Sequence, residues 1–235
     1  MIKVFVRHCN FSENSIDKKR PKFFSKEKCF ENLLKTKKKE TEVTIFFDGT
    51  VPQNSYLNQQ DVKIISKLCG SDSSSFNNLL DYITSLSLSD NDIVYLLEDD
   101  YLHANHWDTI LEEGLGISEI DYVTLYDHPD KYNYSTLAPN VGYDKLTSKI
   151  YITNNSHWRT IPSTTNTYAM RYSTLKKDLN IHKKYCSFGK ITLDHAKFLE
   201  INNKEPKLIS CIPGLSSHIV EEYMSPLTDW KQYSV

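Results

Sequence analysis

Apolar residues in the first hundred positions come in short blocks set between polar turns. Residues 2–6 alternate and read as a strand. Residues 43–47 read as a second, buried strand that ends at Asp48-Gly49, and residues 62–68 as a third. Residues 93–97, from Ile93 to Leu97, are apolar without a break. That run suits a strand covered on both faces, as in a parallel sheet. Between these blocks the period changes to that of a helix. Ser25 is placed to cap residues 26–36, where Phe30, Leu33 and Leu34 share one face. A loop over residues 71–75 opens a second helix from about residue 76 to 86, with Leu79, Leu80 and Ile83 as its buried stripe. Residues 7–24 are polar and basic and read as a loop. The order strand, helix, strand, strand, helix, strand predicts an α/β fold, with a mostly parallel sheet flanked by helices.

The second half is more broken. Residues 108–115 read as a helix and residues 122–126 as a strand ending at Asp127. Residues 128–148, rich in Pro, Asn, Tyr and Lys, read as a long loop of the functional or mobile kind. Two short strands are expected at 149–153 and 167–170, then helices near 172–179 and 193–201. Residues 211–235 form an irregular, aromatic tail. No repeat or low-complexity linker divides the chain, so one domain is expected.

Composition narrows the function classes. With 235 residues, 39% of them hydrophobic, the chain is long enough for one large α/β domain. A net charge of −2 supplies no global basic field, so a nucleic-acid partner is not expected. The lysine runs, Lys18-Lys19-Arg20 and Lys37-Lys38-Lys39, read as solvated surface. Five widely spaced cysteines without a C-x-x-C pair read as reduced thiols in a cytoplasmic protein. No apolar stretch approaches the ~20 residues of a membrane helix, and the N-terminus does not look like a leader.

The chemistry concentrates where the apolar run stops. Ile93 to Leu97 is followed at once by Glu98, Asp99 and Asp100. In open α/β sheets ligands sit beyond the carboxyl ends of the strands. Three crowded carboxylates there repel one another unless cations are present. Mg²⁺ typically uses one or two carboxylates together with substrate phosphates. The alternative is a solvated acidic turn that caps the next helix.

This arrangement resembles the GT-A glycosyltransferases, most closely the small family 2-like enzymes of bacteria and large DNA viruses. The likeness covers most of the chain as an order of elements. The family's acidic DXD motif stands here as Glu98-Asp99-Asp100. The resemblance implies a single GT-A, Rossmann-like domain. Its nucleotide-sugar half would be residues 1–103 and its acceptor half residues 104–235. It implies a Mn²⁺ or Mg²⁺ ion on Asp100, with Asp99 acting through water or on the ribose and Glu98 facing the ribose. His218, in Pro213-Gly214-Leu215-Ser216-Ser217-His218, would come to the metal from a late loop. Asp48 would read the nucleobase edge, as a carboxylate accepts a ring N–H; a turn aspartate before Gly49 is the plain alternative.

By the same resemblance Arg7, His8, Cys9 and Asn10 would lie against base and ribose; Ser75 and Phe76, at a helix start, are candidates for the same contact, with the helix core as the alternative for Phe76. Arg20 and Lys22 would meet the diphosphate. Asp194 would be the base that deprotonates the acceptor, with Asp127 as the fallback. Trp107, Trp158, Tyr168 and Trp230 are candidate sugar platforms. Trp158 stands first among them, beside Arg159 and the polar run at residues 163–166. The expected reaction is an inverting, metal-dependent transfer of a hexose or deoxyhexose. The donor would be UDP-, dTDP- or GDP-linked and the acceptor a glycan or glycolipid. The rival classes are a nucleotidyltransferase or metal phosphoesterase, and a non-catalytic nucleotide-sugar or glycan-binding module. Against the former stands the absence of a P-loop or paired G-x-G motif.

Overall fold

The apolar blocks of the first half become four neighbouring parallel strands. β1 (Ile2–Cys9), β2 (Glu42–Asp48), β3 (Lys63–Lys67) and β4 (Ile93–Glu98) lie in the order β3-β2-β1-β4. The register sets Val6 opposite both Ile45 and Leu97, and Cys9 opposite Asp48. All four strands therefore end at the same edge of the sheet. The structure is a computed structural model, and it describes residues 1–132, 146–203 and 205–234. Most of the predicted long loop lies outside the described residues.

The first two helices begin at serine caps. Ser25 Oγ accepts the Lys28 N–H at 3.1 Å, and α1 spans Lys26–Thr36 as the sequence implies. The second helix, α2 (Asp72–Thr84), starts four residues earlier than its apolar stripe suggests. Ser71 caps it by accepting the Ser74 N–H at 3.1 Å. Its polar first turn faces a cleft instead of the core, and the apolar period alone could not show it.

After β4 come a short β5 (Tyr101–His103), α3 (Trp107–Leu115), β6 (Tyr122–Thr124), β7 (Ile150–Ile152), β8 (His157–Thr160) and β9 (Tyr168–Arg171). Then α4 (Tyr172–Lys184), α5 (Asp194–Ile201), β10 (Leu208–Ile212) and β11 (Ser216–His218) complete the chain. Among the described residues nine strands make one sheet, β3-β2-β1-β4-β9-β6-β10-β8-β7. Only β9 and β8 run against the rest, so the sheet is mostly parallel in direction. β8 and β10 were not expected. β8 is written with polar and charged residues, His157-Trp158-Arg159-Thr160, that hide its strand character. The tail is not wholly irregular: β10 ends inside it, and β11 pairs antiparallel with β5, His218 opposite Tyr101.

The core lies on both faces of the sheet. One cluster packs α1 and α3 against β1, β2 and β4 through Phe30, Leu33, Ile45 and Trp107; the other packs α2 and α4 through Phe76, Leu80, Tyr168 and Leu175. Trp158 is fully buried in the first cluster. Its ring presses on α3 at Gly114, where an added Cβ would stand 2.8 Å from the indole. Gly114→Ala is expected to lower stability by about 1–3 kcal/mol, the usual cost of overpacking. That outweighs the gain of ~0.5–1 kcal/mol from replacing a helical glycine. The measurement is a urea midpoint at unchanged slope; a midpoint equal to the parent's would mean that α3 moves away freely.

Candidate functional site

A cleft of about 540 Å³ opens at the edge where β1, β2 and β4 end. β1 contributes Arg7, His8 and Cys9, β2 contributes Asp48, and β4 runs out into Glu98, Asp99 and Asp100. The first turn of α2 adds Ser71, Asp72 and Ser75, and Asn166, Thr192 and Asp194 also line the cleft, the Thr192 N–H meeting Asp72 at 2.8 Å.

Each of the three carboxylates has its own cation from the chain. Arg7 bridges Glu98 (2.9 Å) and Asp72 (2.5 Å). Asp99 accepts from Lys26 Nζ at 2.7 Å and the Cys9 N–H at 3.1 Å, and His8 Nδ1 lies 2.5 Å away. Asp100 meets Arg20 at 2.7 Å, His218 Nε2 at 2.9 Å and Lys18 at 3.5 Å. Burial alone would raise these carboxyls. For Asp99 the hydrogen bond and charge of His8, with Lys26, outweigh burial and lower it. For Asp100, His218, Lys18 and Arg20 hold it well below the usual carboxylate range. The protein's own cations thus meet the charge of Asp99 and Asp100, whereas burial, with the charges of Asp100 and Asp72, pushes the Glu98 carboxyl up to about 7 despite Arg7.

His218 reaches Asp100 because β11 pairs with β5, directly after the acids. Its ring stacks on Tyr101, with centroids 5.2 Å apart, and on Tyr223. Among the described residues no group of three or more His, Cys, Asp or Glu forms a protein-only metal cage. Asp100 and His218 nevertheless bring one carboxylate and one imidazole together. That pair would hold a divalent ion only with diphosphate and water in its remaining positions, the carboxylate suiting Mg²⁺ or Mn²⁺ better than the imidazole does. Lys18 and Arg20, now on Asp100, are the groups that must then turn elsewhere.

Asp194 opens α5 and is half-buried in the cleft wall. Burial raises its carboxyl; Lys197, one turn along, and the His195 N–H at 2.7 Å partly offset this. A carboxylate so raised is a better proton acceptor. Asp48 lines the cleft and also closes its turn, one oxygen accepting the Cys69 N–H at 2.8 Å.

Several expectations need correction. Trp107, Trp158, Tyr168 and Trp230 are all buried core side chains and offer no face to a sugar. Arg159 does not face an acceptor: it pairs with buried Asp127 at 2.6 Å and lies over the Tyr132 ring. Tyr132 also donates to Asp127. That lock, and zero exposure, remove Asp127 as the fallback base. Phe76 is core, beneath Arg7 and Lys197. Asn10 and Lys22 are exposed and outside the cleft lining. Conversely, the run Lys18-Lys19-Arg20 is not simply solvated, since Lys18 and Arg20 turn inward and Lys19 outward.

Sequence reasoning passed over Lys26, Lys18 and Asp72 as cleft residues, and named Asn166 only within the run 163–166, as a partner for a sugar acceptor. For Lys26 and Asp72 a signal existed: each is the first residue after a serine cap. Helix starts on a parallel sheet point to the ligand edge.

No family model matches the chain, and no curated protein matches it by sequence. Solved structures match it in shape. Residues 1–349 of S. aureus TarS superpose with a TM-score of 0.51 at 16% identity. They cover 89% of this chain, which spans only 57% of that one. The Francisella tularensis 2-C-methyl-D-erythritol 4-phosphate cytidylyltransferase IspD gives 0.51 at 17% identity, covering 99% of this chain and 97% of its own. The galactosyltransferase LgtC, in complex with donor and acceptor sugar analogues, gives 0.50 at 8% identity, covering 88% and 72%. Likeness at such low identity speaks to the fold, and with the sheet order it makes this chain an α/β protein of the GT-A, Rossmann-like fold.

Proposed function

We propose that this protein transfers a hexose or deoxyhexose from a nucleotide diphosphate donor to a hydroxyl of a glycan or glycolipid, with inversion. One observation carries the reading. A single cleft at the ligand edge of the sheet is lined both by the acidic triplet, with its cationic partners, and by Asp194, a carboxyl raised by burial as a base requires. The base of the donor goes to Asp48 and the Arg7–Cys9 end of β1. The diphosphate goes to Lys18, Arg20 and Lys26, the first two turning from Asp100 to phosphate oxygens. Asp100 and His218 would hold Mn²⁺ or Mg²⁺. When bound, that ion neutralises charge on the departing nucleoside diphosphate. Asp194 takes the proton of the acceptor hydroxyl, whose oxygen forms a bond to the anomeric carbon as the bond to phosphate breaks.

The galactosyltransferase LgtC shares this fold, which supports sugar transfer. Among the described residues no helix is long and apolar enough to cross a membrane. All five cysteines are free. A cytoplasmic enzyme, peripheral at a membrane when its acceptor is lipid-linked, belongs to this reading.

The test is a thermal-shift screen of UDP-, dTDP- and GDP-linked sugars with and without Mn²⁺, followed by product analysis. Bound donor stabilises by mass action. Release of nucleoside diphosphate supports the reading. Release of pyrophosphate supports nucleotidyl transfer, the second reading, because the match to IspD spans nearly the whole of both chains. Binding without release would indicate a non-catalytic module. In the same assay Asp48→Ala is expected to weaken donor binding about 10- to 150-fold, the worth of ~1.5–3 kcal/mol for a hydrogen bond to a charged group. An unchanged dissociation constant would leave Asp48 with its turn alone.

A further inference from the structure

Behind the cleft wall sits a buried ammonium. Lys197 is fully buried and makes no ion pair among the described residues. Its Nζ donates to Asn166 Oδ1 at 2.7 Å and to the Tyr168 hydroxyl at 3.0 Å. The rings of Phe76, Tyr168 and Phe198 surround it at 4.7–5.1 Å. Burial pushes it down to about 8, so it stays charged at neutral pH.

An ammonium only donates, and this sets every orientation around it. The Tyr168 hydroxyl accepts from Lys197, so its own proton goes to His182 Nδ1, 3.0 Å away. Burial and Lys197 keep His182 neutral, so its proton sits on Nε2 and points to the Tyr122 hydroxyl at 3.2 Å. Tyr122 in turn donates to Asp178 at 2.7 Å. The chain of bonds runs one way, from ammonium to carboxylate, and holds Lys197 in place. On the other side Asn166 must present its oxygen to Lys197. Its NH₂ is thereby turned away from the core and has no partner among the described residues, although Asn166 is 6% exposed and lines the cleft.

The position of that NH₂ suggests what it meets. Asp48 ends β2, Arg7 to Cys9 end β1, Glu98 ends β4, and Asn166 leads into β9, the next strand along. Three strand spacings amount to roughly 14 Å, a span suited to a nucleotide-sugar lying from base to sugar. Beside Asn166 stand Glu98, whose N–H meets Thr167 Oγ1 at 3.3 Å, and Asp194, one turn before Lys197. The carboxyl groups of Glu98 and Asp194, both raised by burial, offer hydrogen-bonding partners to sugar hydroxyls here. We propose that Lys197 is a positioning residue that locks Asn166 as a hydrogen-bond donor to a hydroxyl of the donor's sugar. This inference rests on the nucleotide-sugar reading above.

The test is calorimetric binding of UDP-glucose against UDP, dTDP-glucose against dTDP, and GDP-mannose against GDP. For the pair that the unaltered chain binds best, the ratio of the two affinities measures the sugar contribution. In N166D the new carboxylate pairs with Lys197 and offers no N–H; in K197M the lock is gone. Each is expected to cut the ratio about 3- to 10-fold, the worth of one hydrogen bond. Nucleoside diphosphate affinity, which also reports folding, should stay within about twofold, well inside that range. In N166A, K197M should cut the ratio no further, since the two act as one unit. An unchanged ratio in N166D, or additive losses in the double variant, overturns the inference alone. An unaltered chain that binds no nucleotide-sugar overturns it together with the reading it rests on.

Discussion

Turnover is expected to stop in Asp100→Ala, and to stop in the unaltered enzyme under excess EDTA, with Mn²⁺ restoring the chelated sample. Asp100 is the acid that a late-arriving histidine meets, His218 Nε2 lying 2.9 Å from its carboxylate. Removing one preorganised electrostatic group from a site of this kind costs about 10²–10³ in rate. Loss of the ligand that also seats the ion should cost at least that. The alanine variant has a second effect. It leaves Arg20, Lys18 and His218 facing one another without their carboxylate, and breaking a buried pair costs about 3–5 kcal/mol. Asp100→Asn, which keeps the shape, separates the two effects. It should melt closer to the parent and still fail to turn over. Undiminished activity in excess EDTA sinks the metal assignment. It would leave Lys18, Arg20 and Lys26 as the only charge compensation for the leaving diphosphate in this reading.

The place of the acids was legible because an unbroken apolar run that stops in charge reads as the carboxyl end of a buried parallel strand, where ligands sit. The partners of those acids were not legible, for a physical reason. Lys18, Arg20 and Lys26 lie 73 to 82 residues before the carboxylates they touch. A run such as Lys18-Lys19-Arg20 looks the same in sequence whether it faces water or folds back over an anion. The aromatic candidates failed for the opposite reason. Trp158 sits among polar neighbours, which suggested a surface platform. Of those neighbours Arg159 and Thr160 are themselves buried, so a polar-looking strand lies largely inside the fold. His218 was legible in the resemblance and now has a cause, the pairing of β11 with β5. Asn166 was visible only as part of a polar run, because its orientation is set by Lys197, 31 residues later in the chain.

Asp194→Asn is expected to lower turnover by roughly 10²–10⁴-fold, the usual worth of a general base, with donor affinity close to normal. Asparagine keeps the size and polarity of the side chain but cannot accept the acceptor's proton. The carboxylate stands at the start of α5 in the cleft wall, and its loss should lower turnover far more than donor affinity. Burial raises the Asp194 carboxyl above the ordinary range. Only the ionised form can act as base, so the rate should fall as pH drops through that raised value. The acid limb of the profile should therefore lie above the usual aspartate range and disappear in the asparagine variant. A single displacement with this base must also invert the anomeric carbon, because the acceptor attacks from the face opposite the leaving diphosphate. The Asp127 alternative is closed, since Arg159 and Tyr132 hold that carboxylate out of the cleft. A variant that retains more than about a tenth of parental turnover, against the hundredfold minimum expected of a lost base, counts against Asp194, and a product of retained configuration counts against the single displacement itself.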